Sequence, residues 1–404
     1  MRELLIDYLL SLTYVCFAVL LTFIICYLIS ITINQPFSNL YLGDGEFKQF
    51  LIKNVSTVKE TYIPSICGFN GYVQTVLAMY FRNMTIPKIN YKRDILTLKD
   101  GGQVAVDWKN PKDENNEQNT IVTALILCGI TGNSQTEYVR ETVNELWRFG
   151  YRPVVFNYRG RGGIKLKTRR VYSAIDTEDL IEVLEHIKSK WPNSPIIGIG
   201  FSMGGILLGT FLTSQKQTEN QYFITGILIS VPWNILKANL YIEDSWFMRK
   251  MGKHLSFHLR NVVTENKDII FEENNDLELS YKKISQCSSI RQFDTEFTVK
   301  IFNYSDVFDY YKDASLYNKL HLIKVPCLCL SAADDPFSYM PDIPTQKASQ
   351  LNNVAILVTS GGGHVGYLDT FWPFRNNNFM LKLILQYINS ITINISYNMF
   401  NKQI

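Results

Sequence analysis

Hydrophobic positions along the chain fall into three kinds of run. The first is a single long stretch: from Tyr8 to Ile33 no residue is charged, which as a helix is long enough to cross about 30 Å of hydrocarbon. The second kind is short and continuous. Ile121–Cys128, Arg152–Tyr158, the run after Pro195, Phe223–Val231, Ile323–Ser331 and Val354–Ser360 are apolar almost throughout, as strands buried on both faces must be. The third kind has helical spacing. Segments near 136–149 and 176–191 are amphipathic, the second with Leu180, Val183, Leu184 and Ile187 on one face, and a last helix is expected from Phe379 to about Ile388. Ile95–Leu98 and Val104–Trp108 flank Asp100-Gly101-Gly102 and read as a hairpin.

Strands alternating with helices predict an α/β body, a mostly parallel sheet with helices on both faces. The expected division is a membrane anchor over 1–33, a linker and N-terminal extension over 34–93, the α/β body over 94–390 and a tail over 391–404. Residues 232–317 form a long insert without clean period. Thr75–Phe81 is expected to add a short helix to the extension, and 109–119 a polar, solvated loop.

Composition narrows the function. With 46% hydrophobic and 19% charged residues and a net charge of +3, the chain is globular and has no bias toward a polyanion. Nucleic acid is therefore not an expected partner. None of the seven cysteines has the spacing of a disulfide framework or a zinc site, and they read as small buried hydrophobes. No small-residue cleavage site follows a short apolar core, so the first segment reads as a signal anchor. Arg2 precedes it and no Lys or Arg follows before Lys48. That bias predicts a single-pass, type II protein with its body in a lumen such as that of the endoplasmic reticulum. Asn54, Asn83, Asn303 and Asn394 head glycosylation sequons.

Chemistry concentrates in Gly200-Phe201-Ser202-Met203-Gly204, a G-x-S-x-G between an apolar strand and an apolar helix. A strand–turn–helix of this kind exposes its serine at the carboxyl end of a sheet, where catalytic groups of open α/β sheets gather. A serine hydroxyl needs a base, and only five histidines are available. His186 lies inside a helix, and His321 precedes a strand, at the wrong end. His254 and His258, four apart, lack a third metal ligand of suitable spacing and read as a solvated face of the insert. His364, in Gly361-Gly362-Gly363-His364 after the last strand, is the expected base. The acid that orients it is sought between Ser202 and His364. Asp334 and Asp335 stand side by side after the preceding strand; one is expected to face the imidazole and the other to cap the loop. Position alone does not choose, and Asp334 is preferred. The oxyanion donors are expected to be the N–H of Met203 and that of Ile130 or Thr131.

The segments CGITGNSQTEYV, VVFNYRGRGG, RRVYSAIDTEDL, GFSMGG, SIRQFDTEF, DYYKDAS, LSAADDPFS and TSGGGHVGYL occur in this order over residues 94–375. Together they resemble the AB-hydrolase-domain family, in its single-pass, membrane-anchored branch that includes phospholipases. The resemblance implies an α/β-hydrolase fold with 232–317 as a lid, and places the nucleophile on Ser202, the charge-relay acid on Asp334 and the histidine on His364. Arg161 departs from it, standing where relatives often carry a small residue or cysteine. It implies hydrolysis of carboxylic esters, with glycerophospholipids or acylglycerols as substrates and an acyl-enzyme resolved by water, without metal or organic cofactor. Acyl transfer on the same triad, or lipid binding without turnover, are the rival readings. Apolar stretches such as Trp246-Phe247-Met248 either line an acyl tunnel or pack the lid on the core.

Overall fold

A computed structural model describes residues 2–33, 35–66, 68, 70–111, 121–271, 279–369 and 378–401. The expected polar loop falls almost wholly, and Cys67 entirely, outside these residues. Helix α1 (Arg2–Ile33) is one uninterrupted helix whose span Ile6–Ile29 is long and apolar enough to cross a membrane. No residue of that span is buried, and Cys16 is exposed there.

Among the described residues nine strands form one sheet, with β1 (Ser38–Tyr41) at one edge, in the order β1-β9-β8-β7-β6-β4-β5-β3-β2. The hairpin is β2 (Lys92–Thr97) and β3 (Gln103–Trp108); the buried runs are β4 (Thr123–Leu127), β5 (Arg152–Asn157), β6 (Ile196–Phe201), β7 (Phe223–Ile229), β8 (Cys327–Ala332) and β9 (Val354–Thr359). Strands β4 to β9 pair in parallel, and every residue of β4, β5, β6, β8 and β9 is buried. Continuous burial on two faces explains why these runs show no alternation. Helices α4 (Glu137–Arg148), α5 (Glu178–Lys190), α6 (Met203–Leu212) and α7 (Gln215–Asn220) follow in chain order. The last helix, Phe379–Asn401, runs beyond its expected end.

Two regions depart from the expected organisation. The extension is part of the body: β1 (Ser38–Tyr41) pairs antiparallel with β9 as an edge strand. Helix α2 (Glu46–Asn54) and helix α3 (Gly71–Thr85) continue the extension; α3 is longer than the expected 75–81 and is capped by Asn70, whose side chain accepts the Val73 N–H. The insert is helical, led by α8 (Ile235–Asp244) and α9 (Trp246–Glu265), with their N-caps at Asn234 and Ser245. Its own apolar core includes Val263, Ile284, Phe293 and Phe297.

Candidate active site

The turn after β6 places Ser202 at the apex with φ 53° and ψ −120°, a left-handed conformation that costs an L-residue energy and is held by its surroundings. A Cβ on Gly200 would come within 2.5 Å of the Gly204 carbonyl, and one on Gly204 within 2.3 Å of the Leu127 carbonyl. The two flanking glycines are therefore steric requirements of the turn. Ser202 N–H donates to the Ile229 carbonyl at 2.9 Å, so the neighbouring strand fixes the apex.

The loop after β9 brings His364 to this apex, with Nε2 2.7 Å from Ser202 Oγ. His364 N–H donates to Thr75 Oγ1 at 2.8 Å, and Val365 N–H to Ser230 Oγ at 3.0 Å. Val365 itself has φ 59°, strained for a β-branched residue. Arg82 of α3 holds the loop from the far side, donating to the carbonyls of Val365 (2.7 Å) and Gly366 (2.8 Å) while it pairs with buried Glu141 at 2.8 Å.

The two aspartates take the opposite places from those preferred on sequence. Asp335, buried, receives His364 Nδ1 at 3.0 and 3.1 Å through its two carboxylate oxygens. Asp334 does not face the imidazole: its Oδ1 accepts the Gly363 N–H at 2.9 Å and so caps the histidine loop. The Asp335 N–H also closes a turn onto the Ala332 carbonyl. That turn decides which of two adjacent carboxylates meets the ring. Burial raises the Asp334 carboxyl to about 7 and the neighbouring Asp335 charge adds to the effect, against the opposing pull of backbone N–H groups led by that of Gly363.

The loop after β4 is pinned peptide by peptide. Tyr158 Oη donates to the Cys128 carbonyl at 2.8 Å, and Gly129 N–H donates to Tyr138 Oη at 2.9 Å. Tyr172 donates to the Ile130 carbonyl, Arg161 to the Thr131 carbonyl, and Gly132 N–H to the Gly129 carbonyl. Arg161, to which the sequence lent no role, thus holds this loop. None of these bonds uses the N–H of Ile130, Thr131 or Met203, and all three residues border the same cavity as Ser202.

That cavity has a volume of about 350 Å³. Ile206, Ile242, Leu259, Val263 and Phe293 supply an apolar wall, and Thr75 and Met79 bring α3 to its edge. Of Trp246 and Phe247, expected to line a tunnel or pack the lid, neither lines the cavity, and Phe247 packs edge-on against Tyr72 of α3. Both are exposed, while Met248 is buried, because α9 turns Met251, Leu255 and Leu259 toward the cavity instead. Asp294 and Glu137 bring carboxyls to the cavity that no sequence motif marks. Asp294 opens a π-helical turn, accepts bonds from Thr298 (2.7 Å) and Tyr311 (2.9 Å), and is raised by burial to about 6.

Residues 123–343 match the model of the serine aminopeptidase S33 hydrolases. Phospholipase ABHD3 of Mus musculus is 33% identical over 91% of this chain and 87% of its own length. The chain belongs to the AB-hydrolase-domain family. Human phospholipase ABHD3 is 32% identical over 90% of this chain and 87% of its own. Human monoacylglycerol lipase ABHD2 is 25% identical over 87% and 85%. The fold is accordingly that of an α/β-hydrolase, and the protein is a hydrolase. The remaining histidines lie away from the apex. His186 Nε2 is 3.1 Å from Asp94 Oδ2, and His254 and His258 stand with their Nε2 atoms 3.2 Å apart on α9.

Proposed function

We propose that the protein is a membrane-anchored serine hydrolase that cleaves carboxylic esters of lipids, phospholipids or acylglycerols, through Ser202, His364 and Asp335. One observation carries the reading: Ser202 Oγ stands 2.7 Å from His364 Nε2, whose Nδ1 faces a buried carboxylate, at the edge of a mainly apolar cavity. His364 takes the Ser202 proton as the hydroxyl attacks the ester carbonyl, and Asp335 holds the ring and stabilises the cation that forms. The N–H groups of Met203 and of the Ile130–Thr131 loop face the developing oxyanion. His364 then protonates the leaving alcohol, and water, activated by the same base, releases the fatty acid. The names of the ABHD3 and ABHD2 relatives support a lipid ester over other acyl compounds.

The helix Arg2–Ile33 anchors the body, and the Arg2 bias favours a luminal, type II arrangement. All four sequon asparagines are exposed. A glycosidase-sensitive mobility shift of the expressed protein is the expected result, and its absence from a membrane-inserted chain would place the body in the cytosol.

The activity is tested by fluorophosphonate labelling of the detergent-solubilised full-length protein beside Ser202→Ala, with a phosphatidylcholine and triacylglycerol panel. Labelling and fatty-acid release are both expected, and both vanish in the variant. A folded wild type that does not label would remove the nucleophile and leave a lipid-binding protein.

A further inference from the structure

Helix α9 has two working faces. Its inner face lines the cavity through Met251, Leu255, Leu259 and Val262. Its outer face carries Trp246 and Phe257, 65% and 48% exposed, together with exposed Arg249, Lys250 and Lys253. Trp246, Lys250, Lys253 and Phe257 follow one another at i, i+4, i+7 and i+11, a single helical stripe. Between Trp246 and Thr264 there are four Lys or Arg and no Asp or Glu. Lys250 Nζ lies 4.1 Å from the Trp246 ring centroid, so cation and aromatic present themselves together.

Helix α3 extends the patch. Tyr72 packs edge-on against Phe247 at 5.4 Å, and α3 exposes Met79, Tyr80 and Met84 without one acidic residue. Met79 also lines the cavity, so the patch borders its mouth. Of the nearby acids on α8, Glu243 is held by Arg291 at 2.6 and 3.0 Å, and Asp244 is exposed at the end of the helix.

Single exposed apolar residues are ordinary, but a contiguous set with large aromatics marks an interaction surface. Trp and Phe interleaved with Lys and Arg suit the boundary between acyl chains and anionic headgroups, where rings bury and cations meet phosphate. A second copy of the chain is a poor occupant, because a two-fold contact would set this basic face against itself.

We propose that the outer faces of α9 and α3 dock on an anionic phospholipid bilayer and seat the cavity mouth on the lipid. The anchor α1 tethers the body; this second contact orients it. The same helix then touches the membrane on one side and the acyl chain on the other, so substrate enters without crossing water. The proposal rests on the lipid-ester reading for its kinetic consequence and not for the docking itself.

The test has two arms on the full-length protein in phosphatidylcholine vesicles with or without one-third phosphatidylserine. In the first, Phe257→Cys in a Cys16→Ser, Cys26→Ser, Cys67→Ser background is labelled with bimane, and quenching by doxyl-labelled lipid is read. Quenching that strengthens with phosphatidylserine is expected. Absence of quenching in both vesicle types overturns the proposal whatever the enzyme hydrolyses. In the second arm, Trp246→Ser/Phe257→Ser and Lys250→Glu/Lys253→Glu are compared with wild type on a vesicle-borne ester and on soluble p-nitrophenyl butyrate. At least a tenfold loss on vesicles with an unchanged soluble rate is expected; equal loss on both substrates, or none, overturns it. Quenching without hydrolysis of any lipid by wild type would remove the lipid-ester reading and keep the docking. Concentration-dependent dimerisation of the wild type that the Trp246→Ser/Phe257→Ser change abolishes would assign the patch to a second copy instead.

Discussion

The parallel strands and the helices that cover their carboxyl ends share one site but follow different rules. A strand between two layers meets the same environment on both faces, and β4, β6 and β9 are accordingly apolar at nearly every position. Helices α3 and α9 meet three environments in one turn: body or lid core, cavity, and exterior. On α9 that yields buried Met248, cavity-lining Met251 and exposed Trp246 and Lys250 within six residues. The sheet supplies Ser202 and, through the loops after β8 and β9, Asp335 and His364. The cover supplies Thr75, Arg82 and the apolar wall. The cover is thus part of the site, because the histidine loop hangs between β9 and α3.

The two aspartates at the end of β8 separate most sharply when each is changed alone to asparagine. Asp335→Asn keeps the shape but loses the charge facing His364 Nδ1, and a fall of about 10⁴-fold in kcat is expected. Asp334→Asn keeps an acceptor for the Gly363 N–H and is expected to stay close to wild-type turnover. Rates of ester hydrolysis and of fluorophosphonate labelling read both variants; a reversed ranking would return the acid to Asp334.

A smaller effect tests the cover. Thr75→Val is nearly isosteric but removes the acceptor of the His364 N–H. An unsatisfied buried donor costs about 1–3 kcal/mol, and each 1.4 kcal/mol that falls on the transition state is about tenfold in rate. A drop in kcat with little change in KM, restored by Thr75→Ser, is the expected pattern. Wild-type kinetics in Thr75→Val would make the extension a packing element only.

The same contrast explains what was legible. Strands β3 to β7 and β9 and helices α4 and α5 stand close to their expected bounds, because burial on one or two faces writes itself into hydrophobic period, while β2 begins three residues earlier and β8 four residues later than expected. Ser202 and His364 could be singled out, since G-x-S-x-G has steric reasons for its glycines and only one histidine follows a strand at the catalytic end. Strand β1 is four residues, Ser38–Tyr41, on an edge, too short to show a period. The helices of 232–317 were hidden by their mixed environments, although Asn234 and Ser245 stood at positions where caps could have been sought. Asp334 and Asp335 are identical in type and adjacent in sequence, so the choice lay in a turn geometry that no pattern of residue types encodes. Arg161 was visible as a departure from the family, but its bond to the Thr131 carbonyl needed the loop's conformation.

The last distinction between the aspartates lies in pH and barely touches turnover. Burial lifts Asp334 from its ordinary 3.8 to about 7 in the folded protein, whereas in the unfolded chain it returns to about 3.9. Between those two values the folded state holds more protons than the unfolded state at this residue, so its contribution to stability declines as pH rises. Below the lower value the contribution is fully present; above about 7 it is lost. Asp334→Asn presents the neutral form at every pH and keeps the Gly363 bond, so its stability relative to wild type is expected to climb between pH 4 and pH 7 and then level off. Asp294 and Asp369, both raised to about 6 by burial, titrate in wild type and variant alike and cancel in the difference. Thermal unfolding of the pair at pH 5 and pH 8 reads it. A gap that is the same at both would mean that Asp334 carries its charge in the folded state, and the loop cap would then be ionic rather than a neutral carboxyl accepting backbone N–H groups.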